Sequence, residues 1–121
     1  IDNFKSFRDL SGELAGEEVI KKMAKLIKDN TDPIGKAARV GGDEFAMLLP
    51  EKNKKGAVHA AEEIRKKVEA ANLLKDAKAS LTVSGGVSEN PIDGATSEEL
   101  YKKAKEALQA AKAAGKHRIE A

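Results

Sequence analysis

A chain of 121 residues is long enough for one domain around one hydrophobic core. With 35% charged residues, a formal net charge of +2 and no cysteine, disulfides, thiolate metal sites and a strongly basic nucleic-acid-binding surface are all excluded. One Tyr, three Phe and no Trp leave few platforms for stacking bases, and neither a membrane-spanning apolar run nor a signal-peptide pattern is present.

Ile1-Asp2-Asn3-Phe4-Lys5 reads as the end of a strand running into a loop, with Asp2 and Lys5 as polar residues at the exit. A natural domain seldom begins inside a strand. The expectation is therefore a single domain over 1–121, truncated at its N-terminus. Ser6–Glu18 follows, punctuated by Gly12 and Gly16. Val19, Ile20, Met23, Ala24 and Ile27 then recur at helical spacing among lysines, which predicts a helix from about Ala15 to Asp29. Asp29-Asn30-Thr31-Asp32-Pro33 ends it.

Residues 35–49 read as a β-hairpin. Ala37-Ala38-Arg39-Val40 leads in, Phe45-Ala46-Met47-Leu48-Leu49 leads out, and Pro50 closes the second run. At the tip lie Gly41, Gly42, Asp43 and Glu44. A glycine pair accepts φ > 0 in a tight turn and admits a ligand close to the backbone. Adjacent carboxylates offer hard oxygens suited to Mg²⁺, which takes its remaining ligands from phosphates and water. Strand alternation places Asp43 and Glu44 on opposite faces, with different roles.

Beyond a charged loop, Ala57, Ala60, Ala61, Ile64, Val68 and Ala71 share one face and predict a helix from about Lys54 to Ala71, with His59 at its surface. Leu73-Leu74-Lys75-Asp76 reads as a linker. Alternation predicts a strand over Ala79–Val87, followed by a loop over Ser88–Ala95. Thr96 and Glu99 form a capping-box start for a helix carrying Leu100, Ala104, Ala107, Leu108 and Ala111, with Gly115 as its stop. His117-Arg118-Ile119-Glu120 reads as a short terminal strand. This order predicts an α+β sandwich, an antiparallel-rich sheet with helices packed on it and an incomplete N-terminal strand.

The string Gly41-Gly42-Asp43-Glu44-Phe45 is the signature of the GGDEF (diguanylate cyclase) domain family, and the chain resembles that family along nearly its whole length. The family fold is similar to nucleotide-cyclase and polymerase palm domains. The family strand ends Asp-x-Asp-x-Phe-Lys, matched from its second position by Ile1–Lys5. The resemblance implies that the Ile1 carbonyl and the Asp43 carboxylate ligate Mg²⁺, joined by the family's first Asp, which would precede Ile1. It implies that the backbone N–H groups of Asn3 and Phe4 and the Lys5 ammonium hold a triphosphate, with Gly41 and Gly42 among the substrate-binding residues. Glu44 is implied to assist at the reacting 3′-hydroxyl or at a second metal. Lys112 and Lys116, in Ala111-Lys112-Ala113-Ala114-Gly115-Lys116-His117, match residues that touch the terminal phosphates, although lysines at a helix end also suit the helix dipole without any ligand. Thr82-Val83-Ser84-Gly85-Gly86 matches the family's Thr-x-Ser-x-Gly strand.

The family pattern Asn-Asp-x-x-Gly-His-x-x-Gly-Asp reads here Arg8-Asp9-Leu10-Ser11-Gly12-Glu13-Leu14-Ala15-Gly16-Glu17. Asp9, Gly12 and Gly16 match, while Arg8, Glu13 and Glu17 depart. In the family the Asn and the last Asp read guanine. Glu17 keeps a carboxylate one methylene longer, and Arg8 supplies donors only, suited to guanine O6 and N7. An inhibitory Arg-x-x-Asp site is not expected, because Asp32-Pro33-Ile34-Gly35 occupies its positions. Two readings follow from the resemblance. One is a bacterial, cytoplasmic signalling enzyme that condenses two GTP into cyclic di-GMP and pyrophosphate. It would act as a homodimer under a regulatory or sensor domain in a longer protein compatible with membrane tethering, with no membrane contact of its own. The other is a catalytically degenerate module for nucleotide sensing or dimerisation. Arg8 also raises a third idea, use of ATP alongside GTP.

Overall fold

The computed structural model describes residues 1–33, 35–71, 73 and 81–121. Ile34, most of the expected linker (Leu74, Lys75, Asp76) and the first residues of the expected strand (Ala79, Ser80) lie outside the described residues. The elements run α1 (Phe4–Ser11), α2 (Glu13–Asp29), β1 (Lys36–Arg39), β2 (Phe45–Leu48), α3 (Lys54–Ala71), β3 (Gly85–Gly86), α4 (Ser97–Ala113) and β4 (Ile119–Glu120). The architecture is α+β, and the chain divides into two compact units, residues 1–50 with 67–82, and residues 51–66 with 83–121.

In the first unit the expected strand end at Ile1–Lys5 is replaced by a turn and a helix. Asn3 adopts the left-handed conformation at φ 58°, ψ 24°, and α1 starts at the next residue. Asn is among the few residues that visit this region readily, so one asparagine turns the chain out of an extended path. Gly12 ends α1 and opens α2 at φ 95°, where a side chain would be strained. The two helices then cross closely. A Cβ on Gly16 would stand 3.2 Å from Arg8 Cγ and 3.4 Å from Phe4 Cζ.

Helix α2 has its expected C-terminal end and buries Val19, Ile20, Met23 and Ile27 along one stripe. At that end the buried Thr31 hydroxyl lies 2.6 Å from the Ile27 carbonyl and 3.3 Å from Met47 Sδ, which ties the helix to the hairpin. The hairpin is antiparallel, in a register that pairs Lys36 with Leu48 and Arg39 with Phe45. Gly35 allows its close entry, since a Cβ there would meet the Leu48 carbonyl oxygen at 2.3 Å. Phe4, Val68 and Leu81 join the α2 stripe among the buried apolar residues of this unit.

In the second unit β3 pairs in parallel with β4, Gly85 opposite Ile119 and Gly86 opposite Glu120. Of the strand expected over 79–87, only Gly85–Gly86 is a strand among the described residues. Helix α3 begins and ends where its apolar face predicts, with residues 54–66 in this unit. Helix α4 starts as its capping box predicts: Thr96 Oγ1 accepts from the Glu99 N–H at 3.2 Å. Its end is a Schellman motif, with the Lys116 N–H on the Ala111 carbonyl at 3.0 Å, the Gly115 N–H on the Lys112 carbonyl at 3.3 Å, and Gly115 at φ 116°. Lys54 Nζ lies 2.8 Å from Asp93, and this hydrogen-bonded ammonium, helped by the Glu89 N–H, holds the Asp93 carboxyl below its ordinary value.

The adjacent glycines of β3 differ in kind. A Cβ on Gly86 would meet α4 backbone, Ala104 O at 2.1 Å and Leu108 N at 2.3 Å, whereas one on Gly85 would meet only the tip of Ile119, at 2.7 Å. Helix backbone cannot move aside, but an isoleucine methyl can. Gly86→Ala should therefore cost about 3 kcal/mol and Gly85→Ala about 1 kcal/mol or less in chemical denaturation. Equal losses would show that the α4 backbone is not the obstacle.

Candidate functional site

The hairpin turn is held from its carbonyl side. Arg39 Nε donates to the Gly41 carbonyl at 3.1 Å and Arg39 Nη2 to the Gly42 carbonyl at 2.8 Å. The Ile1 nitrogen donates to the Asp43 carbonyl at 2.9 Å, and the Val40 N–H to the Glu44 carbonyl at 2.9 Å. The start of the chain is fixed in turn by Asp2. This buried residue donates its N–H to the Thr82 carbonyl at 3.0 Å and accepts from the Thr82 hydroxyl at 2.9 Å. Neither Arg39 nor the Asp2–Thr82 pair was assigned a role from sequence. The only signals were a basic residue two positions before the glycine pair and an Asp beside the Phe4-Lys5 motif.

Phe4, Lys5, Arg8, Gly42 and Asp43 line a cavity of about 270 Å³. Lys5 and Arg8 bring positive charge, and Asp43 brings a carboxylate at the turn. Arg8 is not a freely solvated residue. Its guanidinium carbon lies 5.8 Å from the Phe4 ring centroid, its stem covers Gly16, and its Nε is 3.9 Å from Glu13 Oε1. That ion pair is long and exposed, so the aromatic face and the stem packing hold the side chain more firmly than Glu13 does.

Five of the expected site residues thus line one cavity, Ile1 and Gly41 are bonded into the turn beside it, and the others are not among its lining residues. Asn3 is exposed as the residue before α1, its carbonyl accepting from the Phe7 N–H at 3.1 Å. Glu44 packs beside Gly41, where a Cβ would lie 3.4 Å from Glu44 Cβ. Asp43 and Glu44 sit in the turn before β2, so strand alternation does not govern them. Glu17 is exposed on α2. Lys112, in the last turn of α4, and Lys116, just beyond it, belong to the second unit.

The donors near the turn are oxygens: the Asp43 carboxylate, with the Ile1 backbone tied to the same residue. No group of three or more His, Cys, Asp or Glu able to hold a metal occurs among the described residues. This set fits a hard divalent cation that completes its shell with phosphate and water oxygens, and it does not fit zinc.

A cavity beside a glycine turn, lined by two cations and a carboxylate on an α+β scaffold, suits an anionic ligand, as in a nucleotide-binding domain. The family model described as "Diguanylate cyclase, GGDEF domain" matches residues 1–118, and the chain belongs to that family. It is 37% identical to diguanylate cyclase A of Treponema denticola over 98% of this chain and 32% of that protein. It is 33% identical to the response regulator PleD of Caulobacter vibrioides over 98% of this chain and 27% of that protein. Among solved structures, the GGDEF domain of DgcB from Caulobacter crescentus in complex with c-di-GMP superposes with a TM-score of 0.89 at 34% identity, covering 99% of this chain and 72% of that one. The active GGEEF domain of a diguanylate cyclase from Vibrio cholerae gives 0.86 at 28% identity, covering 99% and 76%. The chain spans about a third or less of these curated relatives. The family uses a divalent metal, and no helix among the described residues is long and apolar enough to cross a membrane.

The glycine pair has a cause other than turn geometry. The glycines with positive φ are Gly12 and Gly115, so the expected φ > 0 at Gly41 and Gly42 is not found. A Cβ on Gly42 would meet no protein atom within 4 Å, and Gly42 lines the cavity. A side chain there would therefore project into open space beside the cavity. Gly42→Ala should leave the melting temperature within about 2 °C of wild type while weakening nucleotide binding about tenfold by titration calorimetry. A destabilised variant with unchanged binding would assign this glycine to the fold.

Proposed function

We propose that this domain is a diguanylate cyclase that binds GTP with Mg²⁺ and, as a homodimer with one GTP in each copy, forms cyclic di-GMP and pyrophosphate. The observation that carries this reading is the cavity that joins Lys5, Arg8, Gly42 and Asp43. Lys5 places an ammonium where phosphate oxygens enter, and Gly42 allows them to approach the backbone. Asp43 and the Ile1 carbonyl would hold the cation, which supplies charge neutralisation at the phosphates and activation of the attacking oxygen. Glu44, next to Asp43, is proposed to orient the 3′-hydroxyl, and Asn3 and Phe4 to present N–H groups to the triphosphate. Lys112 and Lys116 are proposed to grip its terminal phosphates. Each 3′-hydroxyl attacks the α-phosphate of the other nucleotide and pyrophosphate leaves, so ring closure needs two copies.

Arg8 and Glu17 carry the base in this reading. The guanidinium of Arg8 offers a planar pair of donors to guanine O6 and N7. A regulatory module that binds nucleotide without turnover is the second reading. It is favoured by the exposure of Glu17, which stands outside the cavity lining. An inhibitory product site at 32–35 is not part of the proposal. The space in which a side chain at Gly35 would start is filled by the Leu48 carbonyl oxygen.

Incubation with GTP and Mg²⁺ at high protein concentration, with nucleotides resolved by chromatography, tests the choice. Asp43→Asn removes a metal-binding charge and little volume, and should lower turnover at least about a hundredfold with the fold retained. Absence of product from well-folded dimeric wild type would select the regulatory module. In the same assay, added cyclic di-GMP should leave the initial rate unchanged at concentrations well above the product formed. Inhibition at such concentrations would point to a product site elsewhere on the protein.

A further inference from the structure

We propose that Arg39 is a positioning residue that turns the Gly42 and Asp43 N–H groups toward the cavity as a two-donor cradle for a nucleotide phosphate. The inference deepens the nucleotide reading above and rests on it. In a trans peptide the carbonyl and the following N–H point in opposite directions. The Gly41 carbonyl shares its peptide plane with the Gly42 N–H, and the Gly42 carbonyl shares its plane with the Asp43 N–H. Both carbonyls are taken by the one guanidinium, at 3.1 Å and 2.8 Å. Both N–H groups therefore lie on the side away from Arg39, on the two residues of the turn that line the cavity. Among the described residues no protein group accepts from either N–H, whereas every carbonyl from Gly41 to Glu44 has a donor. A turn satisfied on its acceptor side and open on its donor side is an anion-binding concavity.

A purely structural role would leave little to explain such a clamp. Arg39 ends a strand whose residues are all exposed, and its two bonds are themselves exposed, so they contribute little to stability. The planar guanidinium fork holds two successive carbonyls in one fixed geometry, whereas the three donors of an ammonium on a flexible stem are not pre-organised to do so. The effect of losing it should fall on phosphate binding and leave the fold in place.

The test compares wild type, Arg39→Lys and Arg39→Ala in three measurements: melting temperature, calorimetric binding of the unreactive analogue α,β-methylene GTP with Mg²⁺, and steady-state kinetics with GTP. The expected result is unchanged melting temperature, about tenfold weaker analogue binding and a matching rise in KM for Arg39→Ala, a smaller effect for Arg39→Lys, and kcat changed less than KM. Amide NMR adds a direct reading: the Gly42 and Asp43 N–H signals should move downfield when the analogue binds wild type and should not do so in Arg39→Ala. Wild-type affinity in both variants overturns the clamp while leaving the nucleotide reading intact. A large drop in melting temperature, or Gly42 and Asp43 signals that do not respond in wild type, also overturns it. Failure of wild type itself to bind the analogue overturns the nucleotide reading and the clamp with it.

Discussion

The carbonyl side of the 40–44 turn is the constraint on which the rest of the site depends. Four consecutive carbonyls, Gly41 to Glu44, are fixed by donors from three directions: the Arg39 side chain, the Ile1 nitrogen and the Val40 N–H. Each donor needs its own support. Arg39 reaches the turn because the hairpin register sets it opposite Phe45. Ile1 stays beside Asp43 because Asp2, next to it, is locked to Thr82 through both backbone and side chain. A buried carboxylate left without these bonds would be costly, so Asp2 and Thr82 work as a pair. Asp43, proposed above as the metal-binding carboxylate, is thus placed by backbone bonds at the edge of the cavity it lines.

The second wall of the cavity comes from the corner between α1 and α2. Gly12 permits a backbone angle other residues avoid, and Gly16 permits the approach of Phe4 and Arg8. With no Cβ at Gly16, the stem of Arg8 lies along α2 and its guanidinium reaches the Phe4 ring. The departure from the family pattern at this position is therefore built into the packing. An asparagine would be too short to cover Gly16 in the same way. The chain has a cation, packed on Phe4 and Gly16, where the family pattern has an amide.

Local signals made the hairpin, α3 and the cap of α4 legible in the sequence. Each is encoded by adjacent or helically spaced residues: two apolar runs around Gly41-Gly42 closed by Pro50, the alanine and aliphatic face of α3, and Thr96 with Glu99. Helix α1 was not legible. Of its apolar residues, Phe4, Phe7 and Leu10, only Phe4 is buried and Leu10 is exposed, and its start depends on a left-handed asparagine in place of a side-chain cap. β3 reads as longer than the two residues found among those described. The alternation is not matched by burial, since residues 82–87 are all half-buried, and strand pairing needs a partner of matching length, where β4 offers only Ile119–Glu120. Within the site, Phe4, Lys5, Gly42 and Asp43 were legible through the family string. The work of Arg39 was not, because it lies in which way two carbonyls turn, and composition carries no record of that.

The end of α4 shows why placement in a motif and assignment of a role are different claims. Lys112 and Lys116 fit the family pattern, yet the local backbone already accounts for both. Lys112 sits in the last helical turn, where the dipole favours a cation, and Lys116 supplies the N–H that closes the Schellman motif. Lys116 and His117 then take φ of 65° and 51°, conformations unfavourable for residues with a Cβ. The His117 N–H donates to Ser84 Oγ at 3.1 Å, and His117 Nε2 lies 2.8 Å from Arg65 Nη1, so the strained segment is held from two sides. This argues that the backbone after α4 is fixed by protein contacts and does not need a ligand to order it. Lys5 differs, because it stands with a carboxylate, a second cation and a bare glycine around one cavity. The nucleotide reading accordingly rests on the turn and on α1, and the helix-end lysines add to it only what the family supplies.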